Sequence, residues 1–219
     1  MSTRAAPLAH HFRDLEQQHR AASLGMWLFL ATEVMVFGGL FLGYAVYRRL
    51  YPAEFAAASS ELNIVFGGVN TVVLLTSSLT MALAVHAAQA GRHRHIVRYL
   101  LATAFLGTVF LIIKGFEYYG DYVENLVPGL AFDDAAWRER SLDPGRVKLF
   151  LSLYYIMTGL HAVHLIIGIV ILLVLAGLAR RGWFSPVYYS PVEVGGLYWH
   201  FVDVIWIFLL PLLYLVGVR

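Results

Sequence analysis

Apolar residues run along the chain in five long blocks, roughly 23–47, 63–90, 97–120, 148–179 and 192–217, separated by polar stretches. Each block covers the ~20 residues that an α-helix needs to cross the hydrocarbon core of a bilayer. None shows the period-two alternation over ~10 residues that a transmembrane strand requires. Lipid offers no partner to an open backbone edge, so runs of this kind must be helices. The pattern predicts an all-α polytopic membrane protein, a bundle of five transmembrane helices. Residues 1–22 form a polar N-terminal segment, and 23–219 a single transmembrane domain. The connectors are short except 121–146, which holds Pro128, Gly129, Pro144, Gly145 and six acids.

Composition sharpens this picture. Of 219 residues, 59% are hydrophobic and only 14% charged, whereas soluble domains average nearer ~25% charged. Mean hydropathy is +0.67. The absence of cysteine excludes disulfides, thiolate metal sites and a cysteine nucleophile. A net charge of +2 argues against nucleic acid as a partner. The N-terminal segment has no short apolar core followed by a cleavage site, so no cleaved signal peptide is expected.

Orientation follows from the cations. The N-terminus and the 91–98 and 180–191 loops carry eight arginines, Arg4, Arg13, Arg20, Arg92, Arg94, Arg98, Arg180 and Arg181. The opposite side carries seven cations, Arg48, Arg49, Arg138, Arg140, Arg146, Lys148 and Arg219, together with the acidic connector. The two short loops hold five arginines and no acid before Glu193, so the positive-inside rule places the N-terminus in the cytoplasm and the C-terminus outside. Trp27, Tyr44, Tyr47, Tyr51, Tyr118, Tyr119 and Tyr122 sit near span ends, where amphipathic rings anchor at headgroup depth. Gly38, Gly39, Gly43, Gly67 and Gly68 allow close helix approach, and the polar face Asn70, Thr71, Thr76, Ser77, Ser78 and Thr80 fits a helix–helix or subunit contact. Pro211 removes one backbone bond from the last span and should kink it.

Ionisable groups inside the spans each need a reason, because insertion costs ~2.5–3.5 kcal/mol or more. They are Glu33 in the first span, Lys114 and Glu117 in the third, His161 and His164 in the fourth, and His200 and Asp203 in the fifth. At 1.5 Å per residue, Glu33, His164 and Asp203 lie ~15–22 Å from the inner ends of their spans, in one layer. Lys114 and Glu117 lie nearer the outer end, three apart, as an ion pair requires. Four readings of the layer compete. A di-iron-type metal site would use paired Glu-x-x-His motifs, which are missing. Bis-histidine haem ligation, for example by His161 and His200, has suitable chemistry but no other pocket marker. A proton or ion pathway suits buried carboxylates and histidines. The physical default is structural, with side chains hydrogen-bonded between helices. On this default the two pairs, His161/His164 and His200/Asp203, tie the last two helices together. Desolvation by Leu30, Val34 and Phe37 is expected to keep Glu33 protonated.

Several segments resemble haem–copper oxidase subunit III. They are Tyr198-Trp199-His200-Phe201-Val202-Asp203-Val204-Ile205-Trp206, Thr158-Gly159-Leu160-His161-Ala162-Val163-His164 with Gly168, Lys114-Gly115-Phe116-Glu117-Tyr118-Tyr119, and Gly25-Met26-Trp27-Leu28-Phe29-Leu30-Ala31-Thr32-Glu33. The resemblance covers about residues 20–217 and corresponds to the last five of the family's usual seven helices. In the long form the first two helices open a cleft that holds phospholipid, and an arginine stands near the position of Leu178. The resemblance implies an accessory subunit that binds no haem, copper or other metal itself and has no catalytic residues. It implies partners, a catalytic subunit I and a donor-docking subunit II that hold haem and copper, and it leaves phospholipid open as a ligand. It further implies support of proton uptake and sustained turnover, cytochrome c as donor, and the bacterial inner membrane. A quinol oxidase or a nitric-oxide-reductase-associated relative are the alternatives within the family. Outside it stand a transporter and a small membrane metalloenzyme.

Overall fold

Helix caps explain where the long helices begin. In the computed structural model, which describes residues 8, 10 and 12–217, the first is α1 (Leu15–Leu50). Arg4 and Arg219, counted above for orientation, lie outside the described residues. The side chain of Asp14 accepts from the Gln17 N–H at 2.7 Å, and the Gln17 side chain accepts from the Arg13 N–H at 2.8 Å. This reciprocal arrangement is close to a capping box, and it starts α1 at residue 15 rather than at the expected 23. α2 (Pro52–Glu61) follows with Pro52 in its first turn. α3 (Ile64–Gln89) is capped by Asn63, whose Oδ1 accepts from the Val65 and Phe66 N–H groups at 3.0 and 3.3 Å.

α3 ends in a Schellman motif. Arg92 N–H donates to the Ala87 carbonyl and Gly91 N–H to that of Ala88, with Gly91 at φ +66°. α4 (His93–Val123) leads into a hairpin of β1 (Leu126–Val127) and β2 (Ala131–Phe132), antiparallel, turned by Pro128-Gly129. α5 (Asp134–Glu139) is capped by Asp133, which accepts from the Ala135 and Ala136 N–H groups. α6 (Pro144–Arg180) begins earlier than the expected 148, because Asp143 caps the Gly145 N–H at 2.8 Å and Pro144 supplies the first helical φ. A second Schellman motif closes it, from Trp183 and Gly182 to the Leu178 and Ala179 carbonyls. α7 (Ser190–Tyr214) runs on through Pro211.

α1, α3, α4, α6 and α7 are each long and apolar enough to cross a membrane, in agreement with the five expected spans. α1 has only 11% of its most apolar window buried, against 50% for α7, so α7 is the central element and α1 leaves most of its apolar side chains uncovered. The acids of the 121–146 connector do local work that the sequence pattern left unassigned. They cap α5 and α6 and pair with cations, for example Asp134 with Lys148 at 2.8 Å. Glu54 and Glu61 of α2 likewise meet Arg146 and Arg140.

The chain divides into two compact units, to which all five long helices contribute residues. The first comprises Met1–Glu33, Val73–Thr108 and His164–Asp203. Its core is built on Trp199, fully buried, with Nε1 donating to Ser77 Oγ at 3.1 Å. Gly107 and Gly168 make room for the indole, since a Cβ at either would lie 2.6 or 3.0 Å from its carbons. Thr80 and Thr103 join α3 to α4 at 2.8 Å.

The second unit comprises Val34–Val72, Val109–Val163 and Val204–Arg219. Phe37, Tyr44, Phe55, Phe110, Phe150, Tyr154, Trp206 and Tyr214 are its buried aromatic core. Trp206 Nε1 donates to Thr71 Oγ1 at 3.0 Å, and Phe110 meets the indole edge-on at 4.7 Å. Tyr44 and Ser59 hydroxyls donate to the Leu212 and Leu213 carbonyls, satisfying the end of α7. Tyr44 and Tyr118 are therefore not headgroup anchors, as their positions near span ends suggested. Tyr44 is buried in the core, and Tyr118 bonds Thr158. Trp27, Tyr47, Tyr119 and Tyr122 stay exposed.

Of the polar face of α3, Ser77, Ser78, Thr71 and Thr80 bond inside the chain, to Trp199, His200, Trp206 and Thr103, while Thr76 is exposed. Gly67 packs on Leu210 and Tyr214, whereas Gly38, Gly39, Gly43 and Gly68 meet nothing within 4 Å. Gly107→Val should lower stability by about 1–3 kcal/mol through overpacking against Trp199. The measurement is the thermal unfolding midpoint of the detergent-solubilised chain. Gly177→Ala, where a Cβ meets no atom within 4 Å, should leave that midpoint unchanged or raise it.

Candidate functional site

Lys114 and Glu117 are 4% and 2% exposed and form an ion pair at 3.1 Å between Nζ and Oε2. Their i, i+3 spacing on α4 puts them on one face. The ammonium group has three N–H donors, and three acceptors surround it: Glu117, the Tyr154 hydroxyl at 3.1 Å and the Tyr214 hydroxyl at 2.8 Å. Each tyrosine hydroxyl in turn donates a hydrogen bond to Glu117 Oε1, Tyr154 at 3.0 Å. The four side chains thus close a ring in which every donor and acceptor role is consistent. The faces of Tyr118, Tyr154, Trp206 and Tyr214 lie 4.9–5.5 Å from Nζ, adding cation–π attraction. Tyr155 extends the cluster by donating to Asp121 at 3.1 Å.

A charge taken out of water is tolerated when it is paired and its remaining hydrogen-bonding capacity is filled, and this cluster meets both conditions. Tyr154, Tyr214, Asp121 and Tyr155 were missed by sequence reasoning. Tyrosine near a span end carries the same signal whether it anchors at headgroups or points inward. Glu117 and Asp121 also line a cavity of about 340 Å³ with Glu61, Asn63 and Glu124.

The inner polar layer is distributed differently from the expectation. In the first unit Glu33 Oε2 lies 3.0 Å from His164 Nε2, so α1 is joined to α6. The desolvation expected of Glu33 took no account of this partner. His200 Nδ1 lies 2.8 Å from Ser78 Oγ on α3. Asp203 is 3% exposed beside Ser78, yet neither carboxylate oxygen meets hydrogen-bond geometry with a partner among the described residues. His161 belongs to the second unit, where its ring packs on Phe110 and Trp206 at 5.5 and 5.4 Å.

The expected tie of α6 to α7 through the two polar pairs is thus replaced. His164 turns to α1 and His200 to α3, and the Tyr198 hydroxyl on the His164 carbonyl, at 2.9 Å, links α6 and α7. Side chains three apart share a helix face, but which neighbour that face meets is set by packing. Asn70 is a further buried side chain whose amide atoms have no hydrogen-bond partner among the described residues. Among the described residues no group of three or more His, Cys, Asp or Glu is placed to hold a metal ion. The arrangement is chemically suited to holding helices together and to keeping paired charges in a dry interior. Among the described residues it brings together no converging nucleophile, base and oxyanion donors.

Comparison with known proteins accords with this geometry. The family model described as "Cytochrome c oxidase subunit III" matches residues 9–124 and 146–218, leaving out most of the hairpin and α5 connector. "Cytochrome c oxidase subunit 3" of a Synechocystis species is 33% identical over 192 residues, covering 87% of this chain and 74% of that one. The protein of the same name from Thermostichus vulcanus is 32% identical, covering 88% of this chain and 86% of that one. "Quinol oxidase subunit 3" of Bacillus subtilis is 32% identical, covering 89% and 86%. Five apolar helices, buried polar side chains bonded between them, and a family match over both halves of the chain lead to one assignment: this multi-pass membrane protein belongs to the cytochrome c oxidase subunit III family.

Proposed function

We propose that the chain is the accessory subunit III of a bacterial respiratory haem–copper oxidase that takes electrons from cytochrome c. Its partners are a catalytic subunit I and a donor-docking subunit II, which hold the haem and copper. It resides in the inner membrane with its N-terminus in the cytoplasm. The observation that carries this reading is the use of its buried charges. All three Lys114 N–H donors are consumed by Glu117, Tyr154 and Tyr214. Glu33 is held by His164. Side chains bound in this way stiffen a scaffold. The uncovered apolar faces, greatest on α1, are the surface such a subunit offers to lipid and to its neighbours.

Support of proton uptake and of sustained turnover follows from the same role, since a rigid neighbour limits structural loss in the catalytic subunit. A quinol-oxidising complex is the second reading, favoured by the similarity to the Bacillus subtilis protein.

Three outcomes are expected. The isolated chain should carry no haem, copper, iron or zinc in stoichiometric amount, and a Soret band or one metal per chain after purification overturns the accessory role. Lys114→Met strands Glu117 in the interior, a loss of about 3–5 kcal/mol. It should sharply reduce the amount of this subunit that co-purifies with the oxidase, while the haem spectrum of the complex is unchanged. Lys114→Met combined with Glu117→Leu should recover part of that loss. Finally, His164→Ala should loosen α1, lower retention of the subunit and speed the decline of activity during sustained turnover. Glu33→Gln should keep assembly intact, because the amide still bonds the imidazole. A collapsed initial rate with the subunit fully bound would instead place the Glu33–His164 pair in proton transfer.

A further inference from the structure

His200 sits where a polar side chain is hardest to satisfy. It stands ten residues from the start of α7 and fourteen from its end. At 1.5 Å per residue these are about 15 and 21 Å, so on a helix that crosses the bilayer neither headgroups nor bulk water reach it. The imidazole is half-buried, and its Nδ1 is satisfied by Ser78 Oγ on α3 at 2.8 Å. Its Nε2 bonds nothing among the described residues and is not an enclosed atom, so it opens on the surface of the α3–α7 pair. On α3, away from the buried Leu74, Ser77 and Met81, Leu75 and Leu79 flank Ser78 and are 51% and 61% exposed. All of these residues lie in the first compact unit.

An acyl chain cannot bond an imidazole nitrogen. The exposed side of α6 in the same unit shows what a surface made for lipid looks like: Ile166, Ile167, Val170, Leu173 and Val174 are aliphatic throughout. The α3–α7 surface instead ends a polar chain that runs inward. Ser78 bonds His200 and stands beside Asp203, a carboxyl group that is 3% exposed and finds no hydrogen bond among the described residues. The chain also shows how an imidazole in the bilayer is satisfied. His164 Nε2 meets the Glu33 carboxyl of a different helix at 3.0 Å. His200 presents the same atom outward, where only a helix from outside the chain can answer it.

We propose that the α3–α7 face around His200 docks a transmembrane helix of another subunit, which offers a hydroxyl or carboxyl side chain to Nε2. A hydroxyl both donates and accepts, so it fits either tautomer of an imidazole whose Nδ1 is held by Ser78. That the partner belongs to an oxidase rests on the function proposed above, whereas the interface rests on His200 alone.

Two amide variants separate the two nitrogens. His200→Asn keeps a polar atom near Nδ1 for Ser78 and removes the outward one, and His200→Gln does the reverse. A hydrogen bond between helices in a membrane carries a factor of about 3–20. His200→Asn should therefore dissociate from the detergent-purified complex about 3–20 times faster, with the unfolding midpoint of the isolated chain unchanged. His200→Gln should lower that midpoint and stay bound in the complex. The chain has no cysteine, so Leu79→Cys can carry a benzophenone label as its single thiol. In the assembled complex it should cross-link to an apolar span of another subunit, with Ser, Thr, Tyr, Asp or Glu within one turn of the attachment point. Val170→Cys, labelled in the same way, should cross-link to lipid. Unchanged retention of His200→Asn, a midpoint lowered by His200→Asn as much as by His200→Gln, or cross-links from Leu79→Cys to lipid or to a second copy of this chain overturn the interface and leave the oxidase reading standing. A cross-link to such a span in a complex that holds no haem supports the interface and overturns the oxidase reading instead.

Discussion

Hydrocarbon cannot hydrogen-bond, and every polar group taken into it must find its partner inside the protein. The Lys114 ammonium shows how strictly this holds. It is almost fully buried, it has three N–H donors, and Glu117, Tyr154 and Tyr214 take one each. The hydroxyls then return their protons to Glu117, so the pair is bridged twice over. α4, α6 and α7 are held in register by this ring, because none can slide without breaking a bond that water cannot replace. The aromatic side chains that pack around it, Trp206 and Phe110 above all, inherit their positions from it.

The other compact unit solves a different problem with the same means. Trp199 brings a large apolar surface and one N–H into the interior. Ser77 answers the N–H, and two glycines on neighbouring helices answer the volume. A helix interior pays about 1 kcal/mol for glycine relative to alanine. Here close packing against an indole offsets that loss. α3 supplies hydroxyls from Thr71, Ser77 and Ser78 to Trp206, Trp199 and His200, so much of its polar face serves α7.

These features suit a subunit whose task is to stay intact beside a catalytic neighbour. Lys114 and Glu117 are bonded to tyrosines of two other helices, and Glu33 of α1 to His164 of α6. Among the described residues, exposed arginines outside any ion pair include Arg94, Arg98 and Arg180, which surround a cavity.

By itself the sequence determined the membrane character, the five spans and their order, since twenty-residue apolar blocks admit only helices in lipid. It also determined that Lys114 and Glu117 share a helix face, because that follows from 3.6 residues per turn. Helix starts at Asp14 and Asp143 were legible in principle, as an acidic cap followed by Gln at the third helical position or by proline, but the apolar pattern begins several residues later and hid them. What only the tertiary structure decided is the partner of each buried group. Periodicity tells which residues share a face and is silent on which helix that face meets. His161 and His164 read as one pair, yet one packs on Phe110 and Trp206 while the other bonds Glu33. Tyr44 and Tyr118 read as ordinary span-end tyrosines, yet Tyr44 is buried in the core and Tyr118 bonds Thr158. A phenol satisfies its hydroxyl equally well at a headgroup or on a buried carbonyl or carboxylate, and only the packing of neighbouring helices chooses between them.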